Sequence, residues 1–191
     1  MNSKMIESLK AIIRKNLNIV CLCAIGLMVF QNLQAQEDHE KYGQYTKTID
    51  STIDALYAVI SGEKGEARDW DLMRYIYHPN AMLVATGKNS QGQVGAQYVT
   101  PQTYVERSGK WLVENGFIED ELHRVTEVFG NIAQVFSTYQ SFKSKSDTEP
   151  FMRGINGIQL LNTGDRWRII NIFWMQESEE FPIPEKYLPK S

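Results

Sequence analysis

The sequence predicts an α+β domain in which helices lie on one face of a curved antiparallel sheet. Three observations predict it. Residues 117–176 divide into four long strand-forming runs, FIEDELHRVTEVF, IAQVFSTYQSFK, FMRGINGIQLL and RWRIINIFWMQ. The breaks between them, Gly130-Asn131, SKSDTEP and Asn162-Thr163-Gly164-Asp165, hold the residues that turns require. Upstream, apolar residues recur at helical spacing. Strands joined by short turns pair antiparallel, because a parallel return needs a long crossover. Runs of this length exceed the usual strand of about five or six residues. A sheet built from them twists and curls, leaving a concave side for helices to cover.

The chain begins with a segment that is set apart from this domain. Lys4, Lys10, Arg14 and Lys15 precede an unbroken apolar run of 12 residues, Ile19 to Phe30, and Ala35 then offers a small residue for cleavage. That is the order of a secretory signal, which assigns residues 1–35 to a removed leader and the product to the periplasm or the extracellular space. The run is too short to cross about 30 Å of hydrocarbon, so no stable membrane anchor is expected after cleavage. Cys21 and Cys23 follow Val20 and Leu22, where a lipidation signal wants a small residue. Cleavage takes the net charge from −3 to −6 and removes both cysteines. The remaining chain then has no disulfide and no thiolate, and no basic stripe for nucleic acid.

Gln36 to Tyr45 is polar and reads as a fraying start. Ile49, Ile53, Leu56, Tyr57 and Ile60 form one stripe of an amphipathic helix closed by Gly62. Asp69 caps a second, short helix with Leu72, Tyr75 and Ile76 on one face, ended by Pro79. Ala81 to Thr86 is a short apolar strand, and Gly87 to Gln97 an exposed hairpin or loop. Thr100-Pro101 opens a third helix, with Tyr104, Val105, Ser108, Trp111 and Leu112 on one side and Asn115-Gly116 as its stop. The four long runs follow, and residues 178–191 form a proline-containing arm that reads as extended or disordered.

Taken together, these patterns resemble the nuclear-transport-factor-2-like superfamily, in its SnoaL-like branch. The residues that carry the resemblance are His78-Pro79-Asn80-Ala81, Gly130-Asn131-Ile132-Ala133, Arg153-Gly154-Ile155-Asn156 with Gln159-Leu160, and Gly164-Asp165-Arg166-Trp167-Arg168-Ile169 leading to Trp174. It spans Ile49 to Gln176 and implies a single domain over residues 36–177. The implied fold is a cone: a curved sheet wrapped around three N-terminal helices, with a pocket at the open end. The resemblance also implies a homodimer through the outer face of the sheet. It implies no single activity, because the fold hosts isomerases, dehydratases, cyclases, epoxide hydrolases and plain binding modules. Steroid-isomerase-like and epoxide-hydrolase-like members carry aspartates on strands inside the cone. Here Asp120 alone stands on a long strand, with Asp147 and Asp165 in turns, so those mechanisms are not carried over.

The candidate site residues follow from alternation along the strands. Period two places Glu119, Glu121, His123 and Glu127 on one side of the first long strand. Glu121 and His123 on a pocket face would make an acid and base pair; on a wet face they would be solvated, and a bulge would change the facing partway. Glu121-x-His123 supplies two ligands at most where a catalytic zinc needs three, so no metal and no cofactor is expected. Arg153 among apolar neighbours reads as a clamp for a carboxylate, or as an ion-pair or dimer residue. Asn156 and Asn171 read as donors to a ligand oxygen or as satisfied core amides, and Gly154 and Gly157 as a bulge or a close backbone approach. Tyr57, Trp70, Tyr104, Trp111, Tyr139 and Trp174 read as the wall of an apolar pocket or simply as core.

Three functions fit these features. The first is an exported protein that binds an apolar or carboxylate-bearing small molecule without catalysis. The second is an isomerase, dehydratase or cyclase using Glu121 or His123 as base, with Arg153 or Asn156 steadying an oxyanion. The third is a dimeric interaction module.

Overall fold

The computed structural model describes residues 33–190, so the leader lies outside the described residues apart from its last three positions. Residues 33–41 are helical and belong to a unit separate from the domain, which runs from Tyr42 onward. Among the described residues no helix is long and apolar enough to cross a membrane. The expected fraying start is ordered instead: residues 43–46 form a 3₁₀ turn, Tyr42 and Thr46 are buried, and the Tyr42 hydroxyl donates to the Asp69 carboxylate at 3.0 Å.

The three expected helices are present as α1 (Ile49–Ile60), α2 (Trp70–Ile76) and α3 (Pro101–Asn115). Each starts on a side-chain cap that satisfies an orphan amide. Thr48 accepts from Ser51 N while Ser51 accepts from Thr48 N, a reciprocal capping box. Asp69 accepts from Leu72 N, and Thr100 from Thr103 N with Pro101 in the first turn. Helix α3 stops at Gly116, whose φ of 74° suits glycine, and where a β carbon would strike the Lys143 carbonyl. Phe117 then exchanges backbone hydrogen bonds of 2.8 and 3.0 Å with Gly62, tying the end of α3 to the loop after α1.

The strands are β1 (Tyr77–Lys88), β2 (Val94–Val99), β3 (Ile118–Phe129), β4 (Ile132–Phe142), β5 (Met152–Asn162) and β6 (Trp167–Gln176), and they form one curved, unclosed sheet in the order β2-β1-β6-β5-β4-β3. The meander β3 to β6 is antiparallel throughout, as its short turns demand. The sheet as a whole is mixed, a correction to the expected antiparallel one. The meander starts at the far edge, so β6 returns beside β1 and runs parallel to it. The long connection through β2, α3 and the meander is the crossover that a parallel pair requires. The glycine-rich segment after Thr86 pairs as a β1–β2 hairpin.

The core lies between the helices and the concave face, where Ile53, Leu56, Met73 and Ile76 meet Val135, Tyr139, Ile158, Leu160 and Ile169. The C-terminal arm packs on the opposite, outer face. Ile183 is buried, the Tyr187 ring stacks on Phe136 at 5.4 Å, and Thr138 Oγ1 donates to the Tyr187 carbonyl at 2.6 Å. The arm thus covers part of the surface that the family resemblance assigns to a second subunit.

Candidate functional site

A cavity of about 230 Å³ opens between the helices and the concave face. Leu56 and Ile60 of α1, Tyr104, Ser108, Trp111 and Leu112 of α3, and Tyr77 and Leu83 of β1 supply its walls. The sheet contributes Glu119, Tyr139, Met152, Asn156, Ile172 and Trp174. Among the described residues no lysine, arginine or histidine lines it. The volume falls below the about 300–1,000 Å³ typical of drug-sized ligands, so the occupant it suits is small.

Glu119 is the one ionisable carboxylate in this wall. Its Oε2 accepts from Ser141 Oγ at 3.1 Å, and its Oε1 from Asn156 Nδ2 at 3.4 Å. It forms no ion pair among the described residues. The side chain keeps some exposed area because it faces the cavity on one side and a second, more open hollow on the other. The protein around it still excludes bulk water, and this burial pushes its carboxyl from 4.5 up to about 7, against the lowering effect of the Ser141 and Asn156 hydrogen bonds. Four tyrosines from four elements, Tyr57, Tyr77, Tyr104 and Tyr139, lie within its electrostatic reach, and burial above all pushes every one of their hydroxyls upward.

A hydrogen-bond chain leads away from Glu119. Asn156 Nδ2 also donates to Tyr57 Oη at 3.1 Å, Tyr57 Oη lies 2.6 Å from Ser137 Oγ, and Ser137 donates to Glu121. Arg124 closes the chain, bonding Glu121 at 2.7 Å and Asp50 and Asp54 at 2.8 Å each. Two neighbouring glutamates therefore differ in kind. Glu121 is held by a cation, and Glu119 is held only by neutral donors. Tyr139 Oη, buried in the cavity wall, has no hydrogen-bond partner among the described residues. An unsatisfied buried hydroxyl costs about 1–3 kcal/mol.

No protein-family model matches the sequence, and no curated protein does. Solved structures do match the fold. The β subunit of a protein assigned as an aromatic-ring-hydroxylating dioxygenase from Novosphingobium aromaticivorans aligns with 13% identity over 73% of this chain and 92% of that one at a TM-score of 0.51. A protein of unknown function with a cystatin-like fold from Nostoc punctiforme aligns at 8% identity, 69% of this chain, 90% of that one and a TM-score of 0.50. A nuclear-transport-factor-2-like protein from Cytophaga hutchinsonii aligns at 10% identity, 68% and 95% coverage and a TM-score of 0.49. The chain has the nuclear-transport-factor-2-like fold. At these identities the likeness is one of fold alone.

Within this nuclear-transport-factor-2-like cone, the residues singled out from the sequence separate by face. Tyr104, Tyr139, Asn156 and Trp174 line the cavity, as does Trp111. Tyr57 lies behind it in the hydrogen-bond chain and borders the second hollow. Trp70 packs on the core over Gly109, where a β carbon would meet its ring at 3.2 Å. Glu121 and His123 do not share a face. The pairing with β4 shifts between them, Glu121 opposite Tyr139 but His123 opposite Thr138, so Leu122 is an extra residue that inverts the alternation. Glu121 thus stays on the concave side, and His123 turns to the outer side with Thr138. Asn171 is displaced for the same reason: a second shift leaves Ile170 unpaired and sends Asn171 outward beside Gln159. Arg153 also faces outward, 3.5 Å from the Glu177 carboxylate at the root of the arm. The expected carboxylate clamp is therefore absent from the cavity, and Arg153 anchors the arm.

Alternation placed Glu119 on the right side of β3 without marking it out, because Glu119, Glu121, His123 and Glu127 together also read as the wet face of the strand. The glycines beside Arg153 were legible. The Tyr139 ring lies over Gly154, where a β carbon would come within 2.5 Å of Tyr139 Oη and collide with the Met175 carbonyl. Gly154→Ala is expected to push Tyr139 from the cavity wall and cost about 1–3 kcal/mol, read as a lower urea midpoint.

Proposed function

We propose that this chain is an exported small-molecule-binding protein of the SnoaL-like branch, holding a small, mostly apolar ligand in the cavity between α3 and the concave face. The observation that carries this reading is a wall of aromatic and aliphatic side chains that converges on a few polar groups, Glu119, Asn156 and Ser108. Such a combination is the usual form of a ligand site: apolar area supplies affinity and a few fixed polar atoms supply orientation. Export rests on the basic, apolar and small-residue order of the leader. Homodimerisation through the outer face belongs to the same proposal, confined to what the arm leaves open, where Val125, Phe129 and Ile132 are exposed.

Ser108 lines the cavity from α3, so Ser108→Trp is expected to fill it. In a thermal-shift screen of small aromatic probes, the parent chain should be stabilised by several degrees near saturation and the variant by none. Equal shifts in both would remove the cavity as the binding site.

A second reading, an isomerase, dehydratase or cyclase, is favoured by one observation. A carboxyl raised to about 7 in a water-poor cavity is matched to proton transfer at neutral pH. The base in that reading is Glu119, in place of Glu121 or His123. Turnover that Glu119→Gln abolishes while leaving ligand affinity intact would favour it over binding alone.

A further inference from the structure

The ligand class follows from the charge the cavity leaves unanswered. A carboxylate removed from bulk water is stabilised by a proton or by a cation. Elsewhere in the domain the second solution is built in: Arg124 serves Glu121, Asp50 and Asp54 together. At Glu119 it is not, for no basic side chain lines the cavity and none pairs with this carboxylate among the described residues. The groups that bond Glu119 are instead the amide of Asn156 and the hydroxyl of Ser141, with Tyr57, Tyr77, Tyr104 and Tyr139 within its electrostatic reach. On its far side, in the second hollow, stand Asp54, Glu66, Asp120 and Glu121 with the single cation Lys145. Arg124 answers Asp54 and Glu121 there, and the Arg68 guanidinium is taken up by the Ile60, Gly62 and Leu112 carbonyls, so Glu119 is left without a cation of its own, in a cavity whose walls present aromatic rings.

We propose that the cavity's ligand is a small apolar organic cation, an aromatic or alkyl amine or a quaternary ammonium, whose charged nitrogen sits beside Glu119 among the tyrosines. This deepens the small-molecule reading above and rests on it. Each part of the wall has a use for such a ligand. The nitrogen supplies the counter-charge that Glu119 lacks. Aromatic faces attract a cation through the ring quadrupole, most strongly where water is excluded. A carboxylate ligand meets a like charge here, and a neutral one leaves Glu119 either protonated or uncompensated.

The test is calorimetric titration of the full chain with benzyltrimethylammonium, whose charge is independent of pH, and with the neutral probe 2-phenylethanol and the anionic probe phenylacetate, at pH 5 and pH 8. The cation should bind at least tenfold tighter at pH 8 than at pH 5, because it binds the ionised form of Glu119. At pH 8 it should exceed 2-phenylethanol at least tenfold, and phenylacetate should not compete. At pH 6 its binding should release close to one proton, seen by comparing buffers of different ionisation enthalpy. Glu119→Gln should abolish the pH dependence and the proton release. If 2-phenylethanol binds as tightly as the cation at pH 8 and Ser108→Trp blocks both, the cation inference falls and the cavity reading stands. The same holds if proton release is absent in the parent chain, a readout that does not depend on any variant folding. If none of the three probes binds, both fall.

Discussion

Arg68→Ala is expected to lower the stability of the domain by about 3 kcal/mol, the upper end of what most single substitutions cost. Arg68 is buried, and its guanidinium donates only to backbone carbonyls: Ile60 at 3.1 Å, Gly62 at 2.6 Å, Leu112 at 3.3 Å, and Glu66. It lies against Gly62, where any β carbon would collide with it. Burial pulls its pKa down and Glu66 only partly offsets this, so the charge is held chiefly by peptide dipoles. Removing the side chain strands those carbonyls and opens a void, and hydrogen bonds to a charged donor contribute about 1.5–3 kcal/mol each before water replaces some of them. Urea unfolding at constant m is the measurement. Arg68→Lys should recover only part of the loss, because an ammonium cannot span carbonyls on two helix ends. Ile60 and Leu112 both line the cavity, so the variant should also bind ligand more weakly than its lost stability alone would imply.

The second large effect is a pH dependence. The Glu119 carboxyl rises from 4.5 to about 7 on folding, so the folded state holds its proton more tightly than the unfolded chain. The resulting stabilisation is fully present below about pH 4.5 and is lost as pH rises through about 7. At about 1.4 kcal/mol per pKa unit, the group withdraws about 3 kcal/mol between acid and mildly alkaline solution. Glu119→Gln keeps the shape and removes the titration. Urea unfolding at pH 5 and pH 8 should show the parent chain losing about 2.5 kcal/mol more than the variant across that interval, with the variant the more stable at pH 8. Parallel changes in the two proteins would contradict the assignment.

The fold was legible because its signals are redundant. Four alternating runs, turn residues at every break, and the capping residues Asp69 and Thr100 before two of the helices all point to the same layers. The faces of the sheet were legible only as far as the first bulge. One extra residue inverts a strand, and Leu122 and Ile170 have no composition that distinguishes them from paired neighbours. That is why Glu121 and His123 share a side in the sequence and not in the fold, and why Asn171 turns away from the ligand space. Glu119 was hidden for a different reason. Acidic residues in succession read as solvent-facing, and what desolvates Glu119 comes from α1, α3 and β4, far away in sequence. The parallel β1–β6 pair is likewise a product of long-range order that no local pattern encodes.

The account turns on Glu119 being a carboxylate without a cation, desolvated in the wall of the cavity. Titration of the chain labelled with carbon-13 at the glutamate side-chain carboxyls, with the Glu119 signal identified by its absence in Glu119→Gln, tests this directly. The account predicts an inflection near pH 7. An inflection near the ordinary value of 4.5 would contradict it.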